Sequence, residues 1–162
     1  MLSWSERPVE IANLFNPAFC ALLLRQAITE YEKKGGKGLD YPLVFLMLPL
    51  ILHKFSRELL PATTKTKLHT WLQDHQEVRV GLDQRISSLA NYTKEAIIYG
   101  LQFKLLAFDE TGALTAPKRR LPKFDAGDSE AASCFDKAAM LGRWFVNAGN
   151  TATLLSMWGI RL

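Results

Sequence analysis

Few side chains in this chain stand at spacings that could support catalysis. The histidines are His53, His69 and His75. His69 and His75 fall on different faces of one helix, and no cysteine pair lies near them to complete a tetrahedral metal set. They read as partly exposed polar side chains on helices. Cys20 sits in AFCALLL, where apolar neighbours raise a thiol's pKa and suit packing better than nucleophilic attack. The glycines of KKGGKG lack the spacing and the following Ser or Thr of a phosphate-binding loop. Asp109 and Glu110 are adjacent carboxylates, but in a turn their ordinary work is solvation and turn chemistry. The expectation is therefore a protein that is not an enzyme and has no cofactor and no metal.

One charged cluster carries more weight. Lys118, Arg119, Arg120 and Lys123 follow two short apolar runs closely. Such a group can lie along a phosphate backbone without reading sequence, or can face an acidic protein partner. The face of 93–103 bearing Lys94, Glu95, Tyr99 and Gln102 would be the reading face of a DNA binder, although Glu95 weakens that use. Trp4, Trp158 and Ile160 are candidate partner anchors. Large apolar side chains near chain ends either fold back on the core or enter a partner.

The elements that must position these groups are mainly helical. Apolar residues from Ile11 to Ile28 recur at helical spacing. Pro17 interrupts them, so LFNPAFC predicts a break, with Asn16 capping a second helix that runs to about Lys33. KKGGKG ends that helix. Asp40 is placed to cap a third, which carries the run from Tyr41 to Leu52. That run is too short for a bilayer-spanning helix, which takes about 20 apolar residues, so it is expected to be a central core helix without membrane contact. Thr63 or Thr64 can cap the segment bearing Leu68, Trp71 and Leu72. Val80, Leu82, Ile86 and Leu89 mark a further helix. Asn91 and Tyr92 predict a short turn, with Thr93 capping the helix after it.

The period then changes. Leu105–Phe108 and Ala113–Thr115 flank Asp-Glu-Thr-Gly, which predicts a β-hairpin. Helix, turn, helix and hairpin is the order of a winged helix-turn-helix. Asp128 or Ser129 caps a helix bearing Phe135, Leu141, Trp144 and Phe145, and a last short helix spans 151–158. The expected fold class is mainly α: one compact helical domain over 1–162, with an N-terminal helical part (1–60), a winged-helix part with one β-hairpin wing (61–123) and C-terminal helices (124–162).

The totals agree with this organisation. The chain has 162 residues, 48% of them hydrophobic, and a formal net charge of +4, enough for a buried core and too little charge to mark a dedicated nucleic-acid binder. Cys20 and Cys134 read as buried free thiols of a reducing compartment rather than as a disulfide. MLSWSERPVEIANLF lacks the pattern of a secretory leader, so a cytoplasmic protein is expected.

Four stretches carry a wider likeness: RPVEIANLFNPAFCALLL, YPLVFLMLPLILHKFSRELLP, TKEAIIYGLQ and NTATLLSMWGIRL. In this order they resemble the small middle components of bacterial three-component ABC systems, conflict systems related to Lamassu. None of the stretches is a catalytic motif, so the likeness lies in their combination over nearly the whole chain. The resemblance implies a non-enzymatic adaptor between an SMC-like ABC ATPase and an effector or nuclease subunit in antiphage or anti-plasmid defence, with DNA contact made inside the complex. A stand-alone winged-helix DNA-binding regulator is the alternative that the hairpin and the basic cluster allow.

Overall fold

The computed structural model describes residues 4–122 and 127–160. A 3-10 turn at Trp4–Glu6 leads into α1 (Val9–Leu14). The helix breaks where expected. Asn16 Oδ1 accepts from the N–H groups of Ala18 at 2.9 Å and Phe19 at 3.2 Å, and Pro17 starts α2 (Pro17–Gly35). Gly36, at φ 71°, ends α2 in the left-handed conformation, which glycine adopts without a Cβ clash. Then come α3 (Tyr41–Leu52), α4 (Lys54–Leu59), α5 (Leu68–Asp74), a 3-10 turn at Gln76–Arg79, and α6 (Leu82–Gln102). Strands β1 (Ala107–Phe108) and β2 (Leu114–Thr115) pair antiparallel. Helices α7 (Glu130–Phe145) and α8 (Thr151–Met157) complete the order. The fold is mainly helical, with one small hairpin.

Helix α2 packs against α3, α6, α7 and β2, and α3 packs against α2, α4, α6, α7 and α8. The apolar run is core, as expected: Leu43, Val44, Leu46, Met47, Leu48, Leu50 and Ile51 are at most 1% exposed. Burying a Leu or Ile side chain is worth about 1.5–3 kcal/mol, so this one helix supplies much of the driving force for folding. Val9–Gly35 is long and apolar enough to cross a bilayer by length and hydropathy alone. It is divided at Asn16, and Cys20, Ala21, Leu23, Leu24, Ala27 and Ile28 are buried against the other helices.

Three local expectations are corrected. Asn91 and Tyr92 make no turn, because α6 runs through them without interruption. Their packing decides this: the Tyr92 ring lies 4.5 Å from that of Phe15, and Thr93 is buried rather than capping. Helix α5 starts at Leu68, with Lys67 in the cap position, so neither Thr63 nor Thr64 caps it. Asp40 occupies the N-cap position of α3 but makes no side-chain cap bond there; its carboxylate instead accepts from the Thr151 hydroxyl. The other predicted caps form, with Ser129 Oγ accepting from Ala132 N–H at the start of α7.

The hairpin is held by α2. A two-stranded hairpin is marginal alone in water, and here each strand has two residues. Arg25, largely buried, donates from Nη1 to the Leu105 carbonyl at 2.6 Å and from Nη2 to the Pro117 carbonyl at 2.8 Å, so one guanidinium grips both ends of the segment. Glu32 accepts from Ala116 N–H at 2.8 Å. Leu39 exchanges backbone bonds with Leu114 on the far edge. Within the turn, Asp109 Oδ1 accepts from Thr111 N–H at 2.8 Å and Ala113 N–H at 3.0 Å.

Candidate interaction surfaces

The basic segment leaves β2 and crosses the C-terminal end of α6. Lys118, Arg119 and Arg120 are exposed; Lys123 lies outside the described residues. Arg119 donates from Nη1 to the Phe103 carbonyl at 2.6 Å, where the partial negative charge of a helix end favours a cation. Lys104 is exposed alongside it, at φ 56°. Phe103 is 53% exposed and stacks on Tyr99 at 4.4 Å between ring centroids. The basic segment and the end of α6 are therefore brought together around an exposed aromatic ring. Glu95 has another use: its carboxylate takes both Nη groups of the buried Arg7 guanidinium, at 2.8 and 2.5 Å.

The predicted anchors are placed differently from one another. Trp158 is 1% exposed, with its ring 6.5 Å from Trp71 and 6.4 Å from Phe145. Of the two alternatives it folds back on the core. Ile160 is partly buried against the same core, and its N–H donates to Leu155 at 2.9 Å. The side chain of Trp4 lies outside the described residues.

A surface that sequence reasoning missed lies between α1, α3 and the start of α6. Leu14, Phe15, Pro49, Leu52, Arg85 and Leu89 line a groove of about 550 Å³. Helix α1 buries only Ala12, leaving Val9 70% and Leu14 48% exposed. Val80, before Gly81 at the groove's edge, is 73% exposed. Arg85 donates to the carbonyls of Val80 and Val78, each at 3.0 Å. No carboxylate pairs with it among the described residues, and burial lowers its pKa. The groove is thus mainly apolar, with one cation that has no counter-charge among the described residues.

Of the groups that could have been nucleophiles or metal ligands, both cysteines are buried, His53 and His75 are engaged and His69 is exposed. Burial pushes the Cys20 thiol up to about 12, and Cys134 is raised for the same reason. His75 stacks on Trp71 at 4.5 Å, and His53 Nδ1 lies 2.8 Å from Ser56 Oγ. Among the described residues no group of three or more His, Cys, Asp or Glu could hold a metal ion.

The family model for the ABC-three component (ABC-3C) system Middle Component 3 matches residues 4–162. This chain belongs to that family. Comparisons with curated proteins and with solved structures give no match. A middle component of a multi-component system has partner subunits, so the surfaces of this Middle Component 3 chain matter more than its interior. The signal that could have located the groove was VEIANL, whose apolar positions suit a core helix as well as a docking helix. Only tertiary contacts separate those uses.

Proposed function

We propose that this Middle Component 3 protein is a non-catalytic adaptor. It links an SMC-like ABC ATPase to an effector, such as a nuclease subunit, in a Lamassu-related bacterial complex that acts against phage or plasmid DNA. The observation that carries this reading is the family match over residues 4–162, since a middle component implies subunits on either side of it. The apolar groove of α1, α3 and α6 supports it. Exposed Leu14 in the groove and Val80 at its edge gain from losing water contact, and Arg85 suits a partner segment carrying a carboxylate. A non-catalytic role fits thiols whose pKa values burial has raised. Free, buried cysteines suit the cytoplasm.

A tagged copy expressed from its native operon should recover an SMC-like ATPase and a third subunit at constant stoichiometry by mass spectrometry. Recovery of this chain alone would sink the adaptor reading.

A second reading, the stand-alone winged-helix DNA-binding regulator, draws on Lys118, Arg119 and Arg120 standing exposed beside Phe103 and directly after the hairpin. It expects tight duplex binding by the isolated chain, falling steeply with salt. The adaptor reading expects DNA contact only inside the complex.

A further inference from the structure

The loop between α4 and α5, PATTKTK, carries lysines that the family assignment does not account for. Two side chains of α7 hold this loop. Lys137 Nζ donates to the carbonyls of Leu60 at 2.5 Å and Pro61 at 3.1 Å. Trp144 Nε1 donates to the Thr66 carbonyl at 2.8 Å. Fixed in this way, the loop forms one wall of a pocket of about 370 Å³, with the end of α2 and the segment after α7 as the others. Lys34, Lys65, Lys67 and His69 line it together with Thr64 and Asn147, over a floor that includes Leu68, Trp144 and Met157.

Among the described residues the lining contains no carboxylate. The acidic residues in the last turns of α2 are committed elsewhere: Glu30 binds Lys33 and Arg143, and Glu32 binds the hairpin backbone. Lys34, Lys65 and Lys67, none with an ion-pair partner among the described residues, make the pocket they line locally basic, and an anion with several charged oxygens complements that charge. Lysine serves phosphate as a point charge, while Thr64 and Asn147 add neutral donors. The volume lies within the range of small-ligand sites, about 300–1,000 Å³.

We propose that this pocket binds the phosphate groups of a phosphate ester, either a free nucleotide or the backbone of a nucleic-acid strand. The site is separate from the groove assigned to partner subunits and from the basic segment after β2, so it stands or falls independently of the adaptor reading.

Titrations of the purified full chain with inorganic pyrophosphate, ATP and a fluorescent single-stranded oligonucleotide test it, by calorimetry for the first two and by anisotropy for the third. Binding of at least one probe is expected. Lys65→Glu with Lys67→Glu should weaken that binding by about tenfold or more, and Arg120→Glu should leave it within about twofold. Binding of pyrophosphate and ATP without the oligonucleotide identifies a nucleotide site. Binding of the oligonucleotide alone, with a salt slope of about −0.7 for each phosphate contacted, identifies a strand site. If the double variant fails to fold, Lys34→Gln, at an exposed position, must still weaken binding. Absence of binding by every probe up to about 1 mM, or equal weakening by Arg120→Glu, overturns the proposal.

Discussion

Gly142 of α7 lies directly against the backbone of Ala27 in α2. A Cβ at position 142 would stand 2.0 Å from the Ala27 carbonyl oxygen, well inside van der Waals contact, so glycine sets how closely these two helices approach. Because the neighbour is backbone rather than a flexible side chain, the helices themselves would have to part. Gly142→Ala is expected to cost about 3 kcal/mol or more, read as a lower urea midpoint. Gly35→Ala is the control. Its methyl would meet Val146 at 3.4 Å, an ordinary contact, and the substitution should be neutral or stabilise by up to about 1 kcal/mol. Equal losses in the two variants would show that the close approach is not what matters.

Arg25 should matter far beyond its own helix. Arg25→Met keeps the apolar stem but leaves the Leu105 and Pro117 carbonyls without the donors they now have. The expected loss is about 2–4 kcal/mol. Hydrogen exchange should show it first in the amides of 105–117. Protection unchanged in the hairpin would mean that Glu32 and the Leu39–Leu114 bridge suffice to hold it.

Acid should weaken the end of α3 and the start of α4. His53 is the N-cap of α4, with Nδ1 facing Ser56 N–H and Oγ. Burial, then Arg85 and Arg57, lower its pKa from the ordinary 6.5. A lowered folded-state pKa means that the unfolded chain takes up the proton first, so the contribution is present above pH 6.5 and is lost as pH falls through the folded value. Denaturation midpoints should therefore fall from pH 7.5 to pH 5.5 in the native chain. His53→Asn, which can cap without titrating, should reduce that fall.

Partner recovery should depend on the exposed apolar side chains of α1 and the groove's edge. Val9→Lys together with Val80→Lys alters two side chains that are 70% and 73% exposed, so stability should change by no more than about 0.5 kcal/mol for each. Co-purification of the partner subunits should drop by about tenfold, since each lysine must be desolvated in an apolar contact. Undiminished recovery would move the docking surface elsewhere on the chain.

Local chemistry was legible wherever it needed few neighbours. Asn16 before Pro17 announced a capped helix, and the turn from Asp109 to Gly112 announced the hairpin, because the bonds that make them span only two to four residues. The apolar run from Tyr41 to Leu52 declared itself core by composition, with no face left for water. What failed depended on distant residues. Asn91 and Tyr92 read as a turn by propensity, but Phe15 meets Tyr92 and keeps the helix continuous. Trp158 was free to go inward or outward until Trp71 and Phe145 surrounded it.

The sequence by itself therefore determined the helical class, the caps at Asn16 and Ser129 and the hairpin, since these rest on side chains competing for nearby backbone groups. Tertiary structure alone decided which apolar residues stayed outside. Val9, Leu14 and Val80 have the same side chains as core residues, and their exposure follows from α1 burying only Ala12 and from Gly81 starting α6 in a left-handed turn. It also decided that Lys34, on α2, would stand beside Lys65 and Lys67. Charges that far apart along the chain become one site only when long-range packing closes the distance.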